Sequence, residues 1–379
     1  MVESYLNACF SKIHRLKDLF LQNDLCRLLG WTIFFEGVHL LVIWPLLQHV
    51  NYTVPFLCQW DCQWYKSIVL DGYHREAYYV NGMANFAFFP LVPLLAKLLF
   101  LLSNLSAELS LIFVSEFMYF WCIFVFILFS RSFFENISPN IAAATFVFMP
   151  LSVHALAGYT ESTFFLLTML VFLTFSQKKY MTCGFLGTLL SMTRSIGVFI
   201  VPALALSKFF SFFKLPFREK VDFVSCMMLI PLGLFLYMFY LWYHTGDALA
   251  FFHVQIGWRG NPDHWNPFFD FWKNMGAPYY SFRFAGVVIS FVSFFFIVFL
   301  FFKKKYDLAW FLLFCTFVPL MSGIYSMLRF LFWNPAFLLV ICYFLNKYRF
   351  LLCVVLPLLA AMMMHAYFYF LYGGNLWTV

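Results

Sequence analysis

The chain has 379 residues, of which 64% are hydrophobic, 24% aromatic and only 11% charged. Soluble globular chains carry about 25% charged residues and seldom string twenty apolar ones together, so a soluble enzyme, a disordered protein and a disulfide scaffold are excluded. The 24 Lys and Arg against 17 Asp and Glu give a formal charge of +7. Yet the cations cluster between apolar runs, the pattern of a multi-span membrane protein rather than of a nucleic-acid binder.

Residues 1–27 carry Lys12, Arg15, Lys17 and Arg27 in an amphipathic stretch with no small-residue cleavage site after it. They read as a cytoplasmic segment on the membrane surface, followed by one transmembrane domain over 28–379. A first span at 28–47 runs outward and opens a long non-cytosolic loop at 48–107. Residues 86–102 are apolar enough to cross, but a crossing would put every later basic cluster outside. It would also enclose Pro90 and Pro93 in a helix and leave Lys97 at membrane depth. An interfacial helix on the outer side is expected instead.

Further spans are expected at 108–130, 140–157 and 162–176. Residues 181–211 hold Gly184, Gly187, Gly197 and Pro202 around a lone Arg194, and read as two short spans meeting at an outside-facing tip. Spans at 222–244, 281–302, 307–323, 329–345 and 350–372 follow, with a second outer loop at 245–280. The expected fold is all-α and polytopic, with roughly eleven crossings, the N-terminus inside and the C-terminus outside. Arg131, Lys178-Lys179, Lys208 to Lys220, Lys303-Lys304-Lys305, Lys347 and Arg349 then all lie on the cytoplasmic side.

What remains outside is polar and concentrated on one face: Asp61, Asp71, Glu76, Glu108, Glu161, Asp247, Asp263 and Asp270, with Arg75, Arg194, Arg259 and Arg329. Polar groups at membrane depth are costly without a purpose, and one-sided placement suits an outer-surface active site better than a pore. Asp61 lies between Trp60 and Trp64, tryptophans suited to an interface, and a half-desolvated aspartate there has the basicity of a general base. The plain alternative is an interfacial cap. Asn85 to Pro93 alone would be core packing. In Gly158-Tyr159-Thr160-Glu161-Ser162, Thr160 could cap a helix whose dipole favours Glu161. Arg194 needs an anion, either Glu161 or a bound phosphate. Gln255 and Arg259 share a face if their segment is helical, and Arg329 is either a second phosphate ligand or a snorkelling span-end cation.

No nucleotide-binding glycine loop, zinc-binding histidine pair or nucleophile elbow is present, so no cofactor and no metal is expected. His39 and His154 fall within spans and read as packing residues. Cys58 and Cys62 share the first outer loop. They read as two small residues beside the Trp-Asp pair, with a disulfide as the alternative.

Taken in order, Trp60-Asp61, Tyr65, Asp71-Gly72-Tyr73, Phe86 to Leu91 with Pro93, Tyr159-Thr160-Glu161-Ser162, Thr193-Arg194-Ser195 with Gly197, and Gln255 with Trp258 resemble the GPI mannosyltransferase 2 family, PIG-V, of the GT-C superfamily. The resemblance covers about residues 30–335. It implies a GT-C-type membrane enzyme that moves mannose from dolichyl- or polyprenyl-phosphate-mannose to a lipid-linked glycan on the non-cytosolic face. In eukaryotes that glycan is the GPI precursor, which receives an α1,6-linked mannose. The chain is short for a eukaryotic member and residues 245–255 look more like bacterial relatives, so another bacterial envelope acceptor stays open. The membrane would be the endoplasmic reticulum in a eukaryote and the inner membrane in a bacterium. On this reading Asp61 is the base, and Arg194, Arg259 and Arg329 are the candidates for holding the donor phosphate. Glu161 would orient the sugar or an arginine, Asp71 would support the loop, and Trp60, Tyr65 and Gln255 would contact substrate. Membrane lipid and an accessory membrane subunit are the other partners in view, and nucleic acid is not. A non-enzymatic transporter and an inactive scaffold are the rival readings.

Overall fold

The computed structural model describes residues 24–45, 48, 57–74, 82–259, 275, 282–321, 323–324 and 326–372. The helices in chain order are α1 (Asp24–Pro45), α2 (Asp61–Asp71), α3 (Leu91–Leu102), α4 (Ala107–Phe133), α5 (Pro139–Val147), α6 (Val153–Leu156) and α7 (Glu161–Ser176). They continue with α8 (Tyr180–Ser191), α9 (Ile200–Phe212), α10 (Phe217–Leu229), α11 (Leu232–Thr245), α12 (Ala250–His253) and α13 (Ile256–Arg259). The last are α14 (Phe282–Phe302), α15 (Tyr306–Met321), α16 (Met327–Phe332), α17 (Pro335–Lys347) and α18 (Leu352–Tyr372). No strand occurs among the described residues. Helices keep every backbone N–H and C=O satisfied without water, which lipid cannot supply.

Among the described residues, six stretches are long and apolar enough to cross a membrane: α1, α4, Ser195–Phe212, Phe217–Thr245, Phe284–Phe302 and Arg349–Leu371. Shorter apolar helices, α3, α7, α15 and α17, pack among them. The molecule is therefore a multi-pass, all-helical membrane protein. Its surface fits that medium: Phe210 is 87% exposed and Phe302 82%, whereas Glu161 is 1% exposed. Aromatic rings of α4, α5 and α7, among them Phe126, Phe146 and Phe165, fill the centre.

Prolines and glycines set the breaks. Pro90 takes the N-cap position of α3 with φ −77°, so Pro90 and Pro93 start that helix rather than interrupt it. Pro335 opens α17, where the Asn334 side chain accepts from the N–H groups of Ala336 and Phe337. That cap splits the expected 329–345 span and sets Arg329 on a short helix of its own, α16. A Cβ on Gly233 would come within 2.1 Å of the Thr188 carbonyl oxygen, so only glycine lets α11 lie this close to α8.

The turns holding the cations meet at one end of the bundle. Arg131, at the end of α4, pairs with Asp24 of α1 at 3.1 Å, and Lys178 pairs with Glu219 at 2.9 Å. Lys305 lies over Phe133 and Lys303 over Tyr343. At the opposite end α2 packs against α3 and α4.

Cys58 and Cys62, expected as unlinked small residues, are joined by a disulfide, with Cα atoms 5.0 Å apart. A Cβ on Gly158, whose φ is +72°, would meet Cys62 Sγ at 2.9 Å, so this glycine lets the cystine loop seat against the α6–α7 turn. Disulfides persist in oxidising compartments. In protein purified without reductant, Cys58 and Cys62 should resist alkylation until a reductant is added, as read by mass spectrometry of the peptide. Full alkylation beforehand would refute the bridge.

Candidate functional site

Asp61 is the first residue of α2, where an acid suits the helix dipole. Trp60 before it has φ 52° and ψ −115°, a backbone region that costs a bulky residue about 1–3 kcal/mol. Neighbouring restraints hold it there. The disulfide brackets Trp60, the Gln63 side chain donates to the Cys58 carbonyl, and the Tyr159 hydroxyl donates to the Gln59 carbonyl at 3.2 Å. Strain of this kind fixes the direction in which Asp61 leaves the chain.

Glu161 begins α7 and is buried. Thr160 makes no capping bond, contrary to expectation; its hydroxyl accepts from the Tyr65 hydroxyl at 3.4 Å. Burial pushes the Tyr65 hydroxyl above its usual pKa, so it stays a neutral donor. Arg194 stands at the tip after α8, in extended conformation. Two contacts shape that tip: Ser191 Oγ donates to the Ile230 carbonyl at 2.7 Å, and the Leu91 N–H donates to the Met192 carbonyl at 3.1 Å. Arg329 comes from α16, which ends where the Trp333 indole donates to the Leu151 carbonyl at 2.9 Å.

These charged groups form one chain. Arg194 Nη1 lies 2.6 Å from Glu161 Oε1, and Arg329 Nε lies 3.0 Å from the same oxygen. Arg329 Nη1 lies 2.8 Å from Asp61 Oδ2. Two acids and two guanidiniums cancel, which is the condition for holding charge away from water. Phe330 lies under Arg194 at 5.3 Å, and Tyr159 lies under Arg329 at 5.5 Å.

A polar clasp supports α2. Asn85 Nδ2 donates to Ser67 Oγ and to the Gly72 carbonyl, while Asn85 Oδ1 accepts from the His74 N–H. The Tyr73 hydroxyl donates to the Phe88 carbonyl at 2.7 Å and the Tyr237 hydroxyl to the Phe86 carbonyl at 2.8 Å. The segment from Asn85 to Pro90 is thus the frame that supports α2, beyond mere packing. Trp64, Phe88 and Trp258 form an aromatic wall beside it, with ring centroids 5.6–5.9 Å apart.

Of the residues singled out in the sequence, Asp61, Glu161, Arg194 and Arg329 come together, with Trp60 and Tyr65 flanking them. Asp71 does not join them. It is exposed at the far end of α2, about 15 Å along the helix from Asp61 at 1.5 Å per residue. Gln255 sits in the turn between α12 and α13, and its side chain donates to the Phe251 carbonyl at 3.4 Å. Gln255 thus falls just before the single-turn helix that ends at Arg259. The Arg259 side chain, Arg75, Glu76, Asp263 and Asp270 lie outside the described residues.

Two acids escaped the sequence reading: Glu36 of α1 and Glu116 of α4, whose carboxylates approach His39 within the bundle. An acid inside an apolar run was the available signal. No protein-family model matches the chain, and no curated protein matches it either.

Glu161 should be the energetic centre of the network. Glu161→Gln leaves two guanidiniums facing a neutral amide, and breaking a buried pair in this way costs about 3–5 kcal/mol. Arg194→Met should cost less, because Arg194 is partly exposed and Glu161 keeps Arg329. Denaturation in detergent compares the two; equal stability of Glu161→Gln and wild type would contradict this assignment.

Proposed function

We propose that the chain is an inverting glycosyltransferase of GT-C type. It would move mannose from a polyprenyl-phosphate carrier to a lipid-linked glycan at the non-cytosolic face. The observation that carries this reading is the meeting of Asp61, Glu161, Arg194 and Arg329, drawn from four separate segments, in one partly accessible network. The Asp61 side chain is 22% exposed, so a substrate hydroxyl can reach it. The disulfide beside Asp61 supports an oxidising, non-cytosolic compartment. Gathering of the basic turns at the other end supports the same orientation and a scheme of roughly eleven crossings. The endoplasmic reticulum membrane or a bacterial inner membrane both fit.

The chemistry follows from the charges. Asp61 takes the proton of the acceptor hydroxyl as its oxygen attacks the anomeric carbon. The bond from that carbon to the phosphate oxygen breaks, and its electron pair leaves on the phosphate. Single displacement turns a β-linked donor into an α-linked product. Phosphate departs as a stable anion, so a second carboxylic acid is dispensable. Arg329 and Arg194 offer planar donors matched to phosphate oxygens.

In the resting arrangement Asp61 is tied to Arg329. A donor phosphate competing for that guanidinium would free the carboxylate for its task, coupling donor binding to base activation. Trp64, Phe88 and Trp258 offer aromatic surface for a sugar. A mostly apolar cavity of about 250 Å³, lined by Pro150, Leu151, Leu328, Ala361, Met362, His365 and Ala366, offers room for an isoprenoid, and Leu328 in its wall precedes Arg329 in the chain.

The test is transfer of labelled mannose from polyprenyl-phosphate-mannose by purified protein to a panel of lipid-linked glycans. Wild type should transfer, and Asp61→Asn should fall by about 10²–10⁴-fold, the usual worth of a general base. Transfer by Asp61→Asn at the wild-type rate would remove Asp61 from this role.

A further inference from the structure

Midway along α1 and α4 lies a polar cluster that the outer site does not use. Glu36 and His39, at i and i+3 on α1, approach Glu116 of α4, with one donor atom from each within 4.8 Å of the others. Each glutamate is nine residues from the outer end of its helix, at Pro45 and Ala107, or about 13 Å at 1.5 Å per residue. The cluster is thus deep in the apolar part of the bundle.

His39 has no exposed surface. Its Nε2 lies 2.9 Å from the Tyr367 hydroxyl of α18, and its ring packs 4.6 Å from that of Tyr119. The tautomer that donates from Nε2 to Tyr367 leaves a lone pair on Nδ1. That Nδ1 is buried with no hydrogen-bond partner, and so are Glu36 Oε2 and both carboxylate oxygens of Glu116. Four buried acceptor atoms thus share a small space in which the unpartnered Tyr119 hydroxyl is one donor, too few for all of them, which is costly in an apolar medium.

One shared proton between the glutamates would satisfy a single acceptor and leave Nδ1 as it is. A cation would satisfy all three side chains together. An imidazole with two carboxylates favours a first-row transition metal over calcium or magnesium, which take oxygen ligands. Glu-x-x-His on one helix with a Glu from a neighbouring helix is also a donor set by which helical bundles hold such metals. The hydroxyl on the second ring nitrogen is the orienting contact that metal-bound histidines have.

We propose that Glu36, His39 and Glu116 bind one divalent transition-metal ion, of which zinc is the test case, and that it fastens α1 to α4. Two carboxylates and a neutral imidazole supply the two negative charges that neutralise it. The ion would complement the Asp24–Arg131 pair, which joins the same two helices at their other ends. This site is independent of the proposed glycosyl transfer.

The experiment uses tag-free, full-length protein, stripped with a chelator and titrated with zinc chloride, with bound metal read by elemental mass spectrometry. Wild type should retain a single zinc per chain and melt at a higher temperature with it. Glu116→Gln and His39→Asn should each weaken zinc binding well over tenfold, and Tyr367→Phe by about tenfold. His253→Asn, at the exposed Asp247–His253 pair, should bind as wild type does. Folded wild type that takes up no zinc would overturn the proposal, whatever the variants do. So would unchanged uptake by folded Glu116→Gln and His39→Asn, or loss of uptake in His253→Asn alone.

Discussion

Arg329 can be charged in this bundle only because two acids meet it. A guanidinium away from water needs compensation on the spot, and Arg329 has Glu161 against Nε and Asp61 against Nη1. That requirement brings three distant segments to one point: the start of α2, the start of α7 and the short helix α16. Glu161 then has charge to share with Arg194, which fixes the tip between α8 and α9. This end of the molecule is organised around this chain of charges, and the aromatic interior organises the rest.

The same constraint gives the site its working state. There Asp61 is held in salt-bridge contact with Arg329. On the proposed function, a donor phosphate that claimed the guanidinium would release Asp61 and bring an anomeric carbon into its neighbourhood. Trp60, at positive φ and bracketed by the disulfide, sets the position from which Asp61 meets the arginine. The frame built by Asn85, Tyr73 and Tyr237 keeps α2 itself from moving.

Much of this was legible from residue order. Apolar length and cation placement give the long helices, and the glycines and Pro202 around Arg194 give the tip where the structure breaks α8 from α9. A lone intramembrane arginine demands an acid, and Glu161 answers it. What failed did so for local reasons. Asp71 looks like part of the site in sequence, but the rise of α2 carries it away from Asp61. Gln255 and Arg259 share a face only if their segment is helical, and Gln255 falls in the turn just before the single-turn helix that ends at Arg259. The Pro335 break was missed because the apolar residues on both sides outweigh the Asn334-Pro335 pair when averaged over the length of a span. Single acids vanish in the same averaging, which hid Glu36 and Glu116. A four-residue cysteine spacing fits both a helix and a cystine loop, so the bridge could not be chosen from spacing.

The central claim is that Asp61 and the donor phosphate compete for Arg329. Equilibrium binding of a polyprenyl phosphate without its sugar, to wild type and to Asp61→Asn, tests it most directly. The account predicts tighter binding by Asp61→Asn, by about tenfold, since a charged hydrogen bond worth about 1.5 kcal/mol no longer has to be displaced. Arg329→Met should weaken binding in the same assay. Unchanged or weaker binding by folded Asp61→Asn would contradict the account and leave the Asp61–Arg329 pair as a structural contact.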